Sequence, residues 1–284
     1  MSDDPQPHAH RPAAEPAAEP AATVTGHEPT AHGRPPLHGT DGHGTFSVDA
    51  IERGAPRDGQ PQTMDRRLFM QLLVWRCPPE QNLADVLGAL TRAVGDSGIG
   101  AVVYEDVNDP RGVALLSFSE EPGDFVTQVR PLFAHAPLAS LELVPELTML
   151  GRTYSGGYED NLEFWLLDRP RVTVQNAAWP WAVWYPLRRS GAFARLPPKE
   201  QAGILREHGV IGRAYGEGDL AHDVRLACHG LDKNDNEFVI GLVGKALHPL
   251  SHVVQTMRKT RQTSEYISQM GPFFVGHRVW ASGE

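Results

Sequence analysis

The same order of predicted strands and helices occurs twice along this chain, and that repeat constrains the fold more than any other feature. In the first copy, the apolar strand RLFMQLLVW precedes a helix with Leu83, Val86, Leu87, Leu90 and Val94 on one face. Two β-rich runs, IGAVVYE and GVALLSF, flank the turn-forming segment NDPRG. A second helix and a strand over LASLELVPELTML complete the order β-α-β-β-α-β.

The C-terminal part of the chain follows the same order. The strand WAVWYPL precedes the helix PPKEQAGILREHG, which has prolines at its start and Gly209 as its predicted stop. The strands VRLACHG and NEFVIGLVG flank the turn LDKND, and a helix and the strand GPFFVGHRVW end the copy. The repeat predicts an α+β fold of two ferredoxin-like halves, with paired antiparallel sheets and outer helices.

Composition sets the boundaries of these halves. Residues 1–63 are rich in Pro, Ala, Gly, Glu and His and poor in large apolar side chains, so we predict a disordered tail. The N-terminal half then covers residues 64–152, and an aromatic connector without clear periodicity covers residues 153–179. The C-terminal half covers residues 180–284.

Charge and cysteine content narrow the class of protein. The formal net charge of −9 argues against a nucleic-acid partner. The sequence has no apolar run of about 18 residues that would predict a membrane span. Cys77 and Cys228 form no CxxC pair, so we expect reduced, buried thiols in a cytoplasmic protein.

His208 is the candidate metal ligand of the second half. It follows Ile204 by four positions and Leu205 by three, so it shares the apolar side of its helix. One interpretation is a core imidazole, or one stabilised by the negative end of the helix dipole. The other is an axial iron ligand in an apolar pocket between helix and sheet. The spacing leaves both open, and no HExxH, CxxCH, Walker, GxGxxG or GxSxG motif indicates a different site.

Several motifs in a fixed order resemble the chlorite dismutase family. The stretch WYPLRRSGAFARLPPKEQAGILREHGVIGRAY, followed by CHGLDKNDNEFVIGLVG and MRKTRQTSEYISQMGPFFVG, is similar to the C-terminal half of that family. The similarity is greatest to its coproheme decarboxylases, the peroxide-dependent haem b synthases. It covers Trp181 to about Gly276, whereas the N-terminal half agrees in pattern only.

The resemblance implies roles for individual residues. The family's proximal iron ligand corresponds to His208, and the radical-forming tyrosine of the decarboxylases corresponds to Tyr185. Propionate-binding basic residues correspond to Arg189 and Arg258, and Arg188 is a further candidate beside them. The implied cofactor is haem b or iron coproporphyrin III (coproheme). Without the resemblance, Tyr185 would be interpreted as a core aromatic and the arginines as a solvated basic edge.

Two positions depart from the family pattern. The distal residue, an arginine or a glutamine in relatives, falls on Asp223, whereas Arg225 lies two residues further along the same strand face. The glutamate that often hydrogen-bonds the proximal histidine is replaced by Arg261 or Gln262, depending on the alignment. A carboxylate there makes the imidazole more electron-donating, so either replacement predicts a weaker donor.

Three functions are compatible with these features. The first is peroxide-dependent oxidative decarboxylation of coproheme to haem b, with Tyr185 as the radical site. The second is chlorite dismutation to chloride and dioxygen, which requires a distal cation such as Arg225. The third is a non-catalytic porphyrin carrier or sensor. The resemblance further implies a porphyrin and a small oxidant (peroxide or chlorite) as partners, and a homo-oligomer that is often a pentamer.

Overall fold

The computed structural model describes residues 48–283. Its strands are β1 (Glu52–Arg57), β2 (Gln60–Met64), β3 (Phe69–Arg76), β4 (Gly100–Asp106), β5 (Gly112–Ser119), β6 (Glu142–Leu143), β7 (Met149–Arg152), β8 (Trp181–Arg189), β9 (His222–Ala227), β10 (Phe238–Gly244), β11 (Ile267–Met270) and β12 (Phe274–Ala281). Its α-helices are α1 (Leu83–Ser97), α2 (Arg130–Leu132), α3 (Arg169–Gln175), α4 (Gly191–Ala194), α5 (Pro198–Glu217) and α6 (Leu247–Met257). Segments with π-helical hydrogen bonding are Phe125–Val129, Phe164–Asp168 and Gln262–Tyr266.

The two predicted halves form antiparallel sheets that join at both edges. Within the N-terminal half the strand order is β7-β3-β5-β4, and within the C-terminal half it is β12-β8-β10-β9. Strand β4 pairs with β12, and β9 pairs with β7, so these eight strands close into a barrel. The short strands β6 and β11 add to β3 and β8. The predicted α+β class, with two ferredoxin-like halves and paired antiparallel sheets, is confirmed.

Alternation along each barrel strand separates an inner face from an outer face. Side chains of both halves fill the interior, including Tyr104, Leu116, Trp184, Leu226 and Phe274. Helix α1 covers the outer face of the N-terminal half, and α5 and α6 lie on the outer face of the C-terminal half. In residues 48–283, no helix combines the length and the apolar character needed to cross a membrane.

Helix α5 is longer than the sequence indicated. The predicted stop at Gly209 is wrong, because the helix continues to Glu217. Glycine weakens a helix without ending it unless the backbone turns left-handed, and the apolar spacing continues through Ile211 and Tyr215. His208 therefore lies within the helix, away from the negative end of its dipole.

A β-hairpin lies inside the range predicted to be a disordered tail. Residues 52–63 fall within β1 and β2 and the turn that joins them, so the boundary at residue 63 is corrected for this part. The hairpin contributes one large apolar side chain, Met64, which packs against the barrel core, and it is also attached through Gln62. The Nε2 amide of Gln62 donates to the carbonyls of Ala55, Glu159 and Asp160, at 2.6, 3.2 and 3.0 Å. Residues 1–47 of the predicted tail lie outside the described residues.

Candidate active site

The outer face of the C-terminal sheet forms an apolar floor beneath α5 and α6. Strand β8 turns Ala182 and Trp184 into the barrel, so the alternating residues Val183, Tyr185 and Leu187 face outward. Side chains from β9 and β10 extend the floor, including Ala227, Ile240 and Leu242, and Val253 and Met257 of α6 pack against it. A floor of this composition accepts a flat apolar ligand and leaves the few polar groups around it to fix its orientation.

Tyr185 is a buried phenol in this floor. Its ring stacks on Phe273, with 4.6 Å between centroids and 24° between planes. Burial raises the pKa of the phenol, and the negative charge of Asp223 raises it further, whereas Arg258 acts in the opposite direction. The phenol is therefore neutral and protonated at physiological pH, with both of these charged groups close enough to affect its ionisation.

His208 approaches the floor from α5. Its Nδ1 atom is buried without a hydrogen-bond partner, and its Nε2 atom has no hydrogen bond to any residue in 48–283. Burial lowers the pKa of the imidazole, and the positive charge of Arg225 lowers it further. A neutral imidazole without an internal partner is suited to bind a metal through a ring nitrogen.

Asp223 and Arg225 both lie on the outer face of β9. The Asp223 carboxylate accepts from Arg169 Nη2 at 2.6 Å and forms an ion pair with Arg225 Nε at 3.0 Å. Burial opposes ionisation of this carboxyl group, but the two guanidinium groups outweigh it and lower its pKa. The carboxylate at the predicted distal position therefore has two positively charged partners, which offset the repulsion that its own charge would exert on an anionic ligand.

The arginines proposed for propionate binding occupy different surroundings. The Arg189 side chain pairs with Glu237 (Nε to Oε2, 3.2 Å) and lies 4.6 Å from the ring centres of Phe193 and Phe238. The Arg258 guanidinium, at the end of α6, is exposed and forms no ion pair with the described residues. Both lie at the rim of the floor.

Arg188 is not brought to this site. It follows the parity of Trp184 and Pro186, so its side chain leaves the opposite face of β8 from Tyr185. There it donates to the carbonyl of Asn234 in the β9–β10 turn.

Gln262 and Arg261 begin a π-helical segment that packs on α5. The backbone N–H of Arg261 donates to Glu207 Oε2 at 3.0 Å, which places this segment beside His208. The Arg261 guanidinium points outward to Glu200 and Glu265. The Gln262 Oε1 atom is buried and, like Nδ1 of His208, has no partner in the described part of the chain. Of the two candidates for the histidine partner, Gln262 has the buried acceptor.

The connector supplies site residues that the sequence did not indicate. Arg169 binds Asp223, and Tyr154 packs on Phe238 with 5.6 Å between ring centres. Tyr154 and Glu159 also act on the ionisation of Arg225, so the connector lines one side of the site. The periodicity of residues 153–179 gave no indication of this, because the partners are separated by 54 residues along the chain in the case of Arg169 and Asp223.

These residues fit an iron porphyrin. The imidazole of His208, whose buried Nδ1 atom has no partner among the described residues, would bind the iron, the apolar floor would accept the macrocycle, and Arg258 at the rim would bind a carboxylate. Comparison with known proteins agrees with this chemistry. Residues 142–279 match the family model described as chlorite dismutase.

This part of the chain is similar to the chlorite dismutase family.

Two curated relatives are coproheme decarboxylases from two strains of Thermus thermophilus. Each is 32% identical to this chain over 112 residues, which is 38% of this chain and 43% of the relative. The matched segment thus spans less than half the length of these relatives.

Solved structures of other proteins share the fold over a longer range of the chain. A heme-binding protein from Thermus thermophilus superposes with a TM-score of 0.61 at 19% identity, covering 77% of this chain and 93% of that protein. Chlorite dismutase from Candidatus Nitrospira defluvii, in complex with imidazole, gives a TM-score of 0.60 at 11% identity, covering 76% and 93%. At these identities the agreement establishes the architecture alone.

Proposed function

We propose that the protein is a haem-dependent enzyme that decarboxylates iron coproporphyrin III to haem b with peroxide as the oxidant. The observation that carries this proposal is the placement of Tyr185 and His208 around one apolar floor. Both residues are influenced by the charge of Asp223, and Arg258 lies close enough to Tyr185 to affect its ionisation. The similarity to coproheme decarboxylases supports the choice of reaction.

His208 would bind the iron, and Arg189 and Arg258 would hold propionate groups at the rim. The iron, when bound, supplies oxidation chemistry that amino-acid side chains lack. Arg258 is available for a substrate carboxylate, whereas Arg189 would exchange or share its contact with Glu237. Gln262 would accept a hydrogen bond from Nδ1–H of His208 and fix the orientation of the ring.

The phenol of Tyr185 would first give up one electron and one proton, with peroxide as the final electron acceptor. The resulting tyrosyl radical would then remove a hydrogen atom from the β-carbon of a propionate held beside it, which restores the phenol. For each group, propionate, one peroxide and one proton give a vinyl group, carbon dioxide and two water molecules. The propionate loses two electrons in total, and the peroxide accepts them. Burial raises the pKa of the phenol, so Tyr185 carries the proton that this reaction would remove and return.

The proposal is tested by mixing the full-length apoprotein with ferric coproporphyrin III and adding peroxide stepwise, with the porphyrin followed by mass spectrometry. Loss of two carbon dioxide units through a monovinyl intermediate is the expected result. Binding without any loss would reject the decarboxylase and favour a porphyrin carrier or sensor.

Chlorite dismutation is a second candidate because Arg225 places a half-exposed guanidinium on the outer face of β9. Rapid release of dioxygen from chlorite by the haem b form, abolished in Arg225→Ala, would support it. Haem b protein that releases no dioxygen would exclude it.

We also infer a cytoplasmic homo-oligomer from the family resemblance and the two buried free thiols. Light scattering coupled to gel filtration tests the oligomer, with a monomer mass as the contradicting result.

A further inference from the structure

Arg169, Asp223 and Arg225 form a chain of contacts that crosses from the connector into the candidate site. Arg169 donates through Nη2 to Asp223 Oδ1 at 2.6 Å and through Nη1 to the Asp223 backbone carbonyl at 2.9 Å. The other carboxylate oxygen, Oδ2, pairs with Arg225 Nε at 3.0 Å. Each oxygen of the carboxylate is therefore committed to a different guanidinium.

The two arginines differ in how far their side chains are fixed and in which guanidinium N–H donors a ligand can reach. Arg169 is fixed further by Trp165, whose ring centre lies 4.5 Å from its guanidinium carbon, and 22% of its side chain is exposed. The ion pair of Arg225 is made through Nε at 3.0 Å, and 49% of its side chain is exposed. Its terminal Nη atoms have no hydrogen-bond partner in residues 48–283. These are the donors that a ligand in the site can reach.

Charge counting explains why a carboxylate is tolerated at this position. Two guanidinium groups and one carboxylate leave a net charge of +1 on the sheet side of the site. An ion pair with a carboxylate at one N–H edge of a guanidinium also restricts rotation of the arginine side chain. Less conformational entropy is then lost when the same guanidinium binds a second anion.

We propose that Arg169 and Asp223 are positioning residues that hold the Arg225 Nη groups as donors to an anion bound at the porphyrin iron. This inference rests on the proposed binding of haem by His208. Arg169 orients Asp223, Asp223 orients Arg225, and only Arg225 contacts the anion. The side chain at the position of the family's distal residue thus acts through its neighbour two residues along the strand.

Fluoride binding to the ferric haem form of the full chain tests the arrangement, because this ligand changes the visible spectrum and accepts hydrogen bonds. Loss of a charged donor in Arg225→Met is expected to weaken fluoride binding about tenfold or more. Arg169→Met and Asp223→Asn are expected to weaken it by a smaller factor, about three- to tenfold. In the double variant Arg169→Met/Arg225→Met, fluoride binds no more weakly than in Arg225→Met, since Arg169 acts only through Arg225.

Arg171→Met is the matched control. Arg171 lies on the same helix and forms an ion pair with Glu120 at 2.9 Å, away from the site, so its loss should leave fluoride affinity unchanged. Circular dichroism melting and haem content establish that each variant is folded and loaded, and Arg169→Lys should restore part of the affinity.

The results separate this inference from the proposed function. Wild-type affinity in both Arg169→Met and Asp223→Asn, in protein that retains haem, would overturn the positioning roles alone. Additive losses in the double variant would also overturn them, because Arg169 would then act on the anion directly. Absence of haem uptake by the wild type would reject the proposed function, and this inference with it.

Discussion

Tyr185 and Arg225 lie in one cross-strand row, because each is paired with Ile240 of the strand between them. Residues paired in this way project from the same face of a sheet. Two strand spacings of about 4.8 Å place their Cα atoms roughly 10 Å apart. The proposed hydrogen-transfer residue and the proposed anion donor thus border the same ligand space from opposite sides, at the same height along the barrel.

This placement predicts that Tyr185→Phe separates binding from reaction. The phenol contributes its ring to the floor, so the variant should take up coproheme like the wild type and lose less than about 1 kcal/mol of stability. Carbon dioxide release on peroxide addition should fall to the level of the protein-free reaction. Tyr104→Phe is the control, since Tyr104 is equally buried but lies inside the barrel. Decarboxylation at the wild-type rate in Tyr185→Phe would remove Tyr185 from the reaction.

Substitution of His208 should abolish haem binding at little cost to the fold. Its imidazole forms no hydrogen bond with the described residues, so His208→Ala should change the free energy of unfolding of the apoprotein by no more than about 1 kcal/mol. Haem titration followed at the Soret band measures the loss. In contrast, His252→Ala removes a 2.6 Å hydrogen bond to Tyr215 and should lower stability while haem uptake persists. Normal haem uptake by His208→Ala would contradict the assignment of the ligand.

Substitution by alanine is expected to change stability in opposite directions at Gly241 and Gly203. A Cβ on Gly241 would lie 2.5 Å from the ring of Trp184, a fully buried side chain that cannot move aside, so Gly241→Ala should cost about 1–3 kcal/mol. Gly203 on α5 has open space around its Cβ position, so Gly203→Ala should stabilise by about 0.5–1 kcal/mol. Urea unfolding of both variants provides the comparison, and equal effects would be inconsistent with the packing described.

The contacts of the Asp219 carboxylate predict that the folded protein loses stability in acid. Its carboxylate binds Lys245 and accepts from His222 at 2.9 Å and Trp179 at 3.0 Å, and these contacts, that of Lys245 first, lower its pKa from 3.8 to about 2. A lowered pKa in the fold means that the stabilisation is complete above the unfolded value and disappears as the pH falls toward 2. Asp219→Asn, which tolerates the backbone φ of 52° at this position, should therefore be less stable than the wild type at pH 7. Denaturant unfolding between pH 7 and 2 should show the two stabilities converging, and a constant difference would argue against the ion pair.

The Cys228 thiol is expected to be unreactive in the native protein. Burial raises its pKa to about 12, and the negative charges of Asp232 and Glu237 act in the same direction. Little thiolate is present at pH 8, and the sulfur has no contact with solvent. Ellman's reagent should modify Cys228 only after unfolding. Modification within minutes in the native state would show that the β9–β10 region opens readily.

The repeated strand and helix order predicted the two-half architecture, because alternation and helical spacing are local properties of the sequence. The strand predicted over LASLELVPELTML is wrong in its extent, since this segment holds two 3₁₀ turns, the short β6 and only the start of β7. Closure of the two sheets into one barrel was not predictable in the same way. It depends on the pairing of β4 with β12 and of β7 with β9, strands that are far apart in the chain. The same limit applies to Arg169, since no local pattern distinguishes an arginine that binds a carboxylate in another half of the fold.

The hairpin at β1 and β2 had a local signal that composition obscured. Asp58 and Gly59 adopt φ values of 52° and 76°, as the turn of a two-residue hairpin requires, and Asp-Gly is a common pair at this position. The surrounding Pro- and Gly-rich sequence favoured the prediction of a tail, because the segment contributes few apolar side chains. Its attachment through a side-chain amide has no hydrophobic signature.

The attachment of Gln62 also sets a practical limit on shortening the chain for biochemical work. Its amide group binds three backbone carbonyls and accepts from the Leu162 backbone N–H at 3.1 Å, which anchors the connector just before the helix that carries Arg169. A version that starts at Arg66, where the apolar pattern begins, would discard this anchor while keeping every barrel strand. Recombinant protein intended for ligand measurements should therefore start upstream of Glu52, even though the sequence pattern suggests a later boundary.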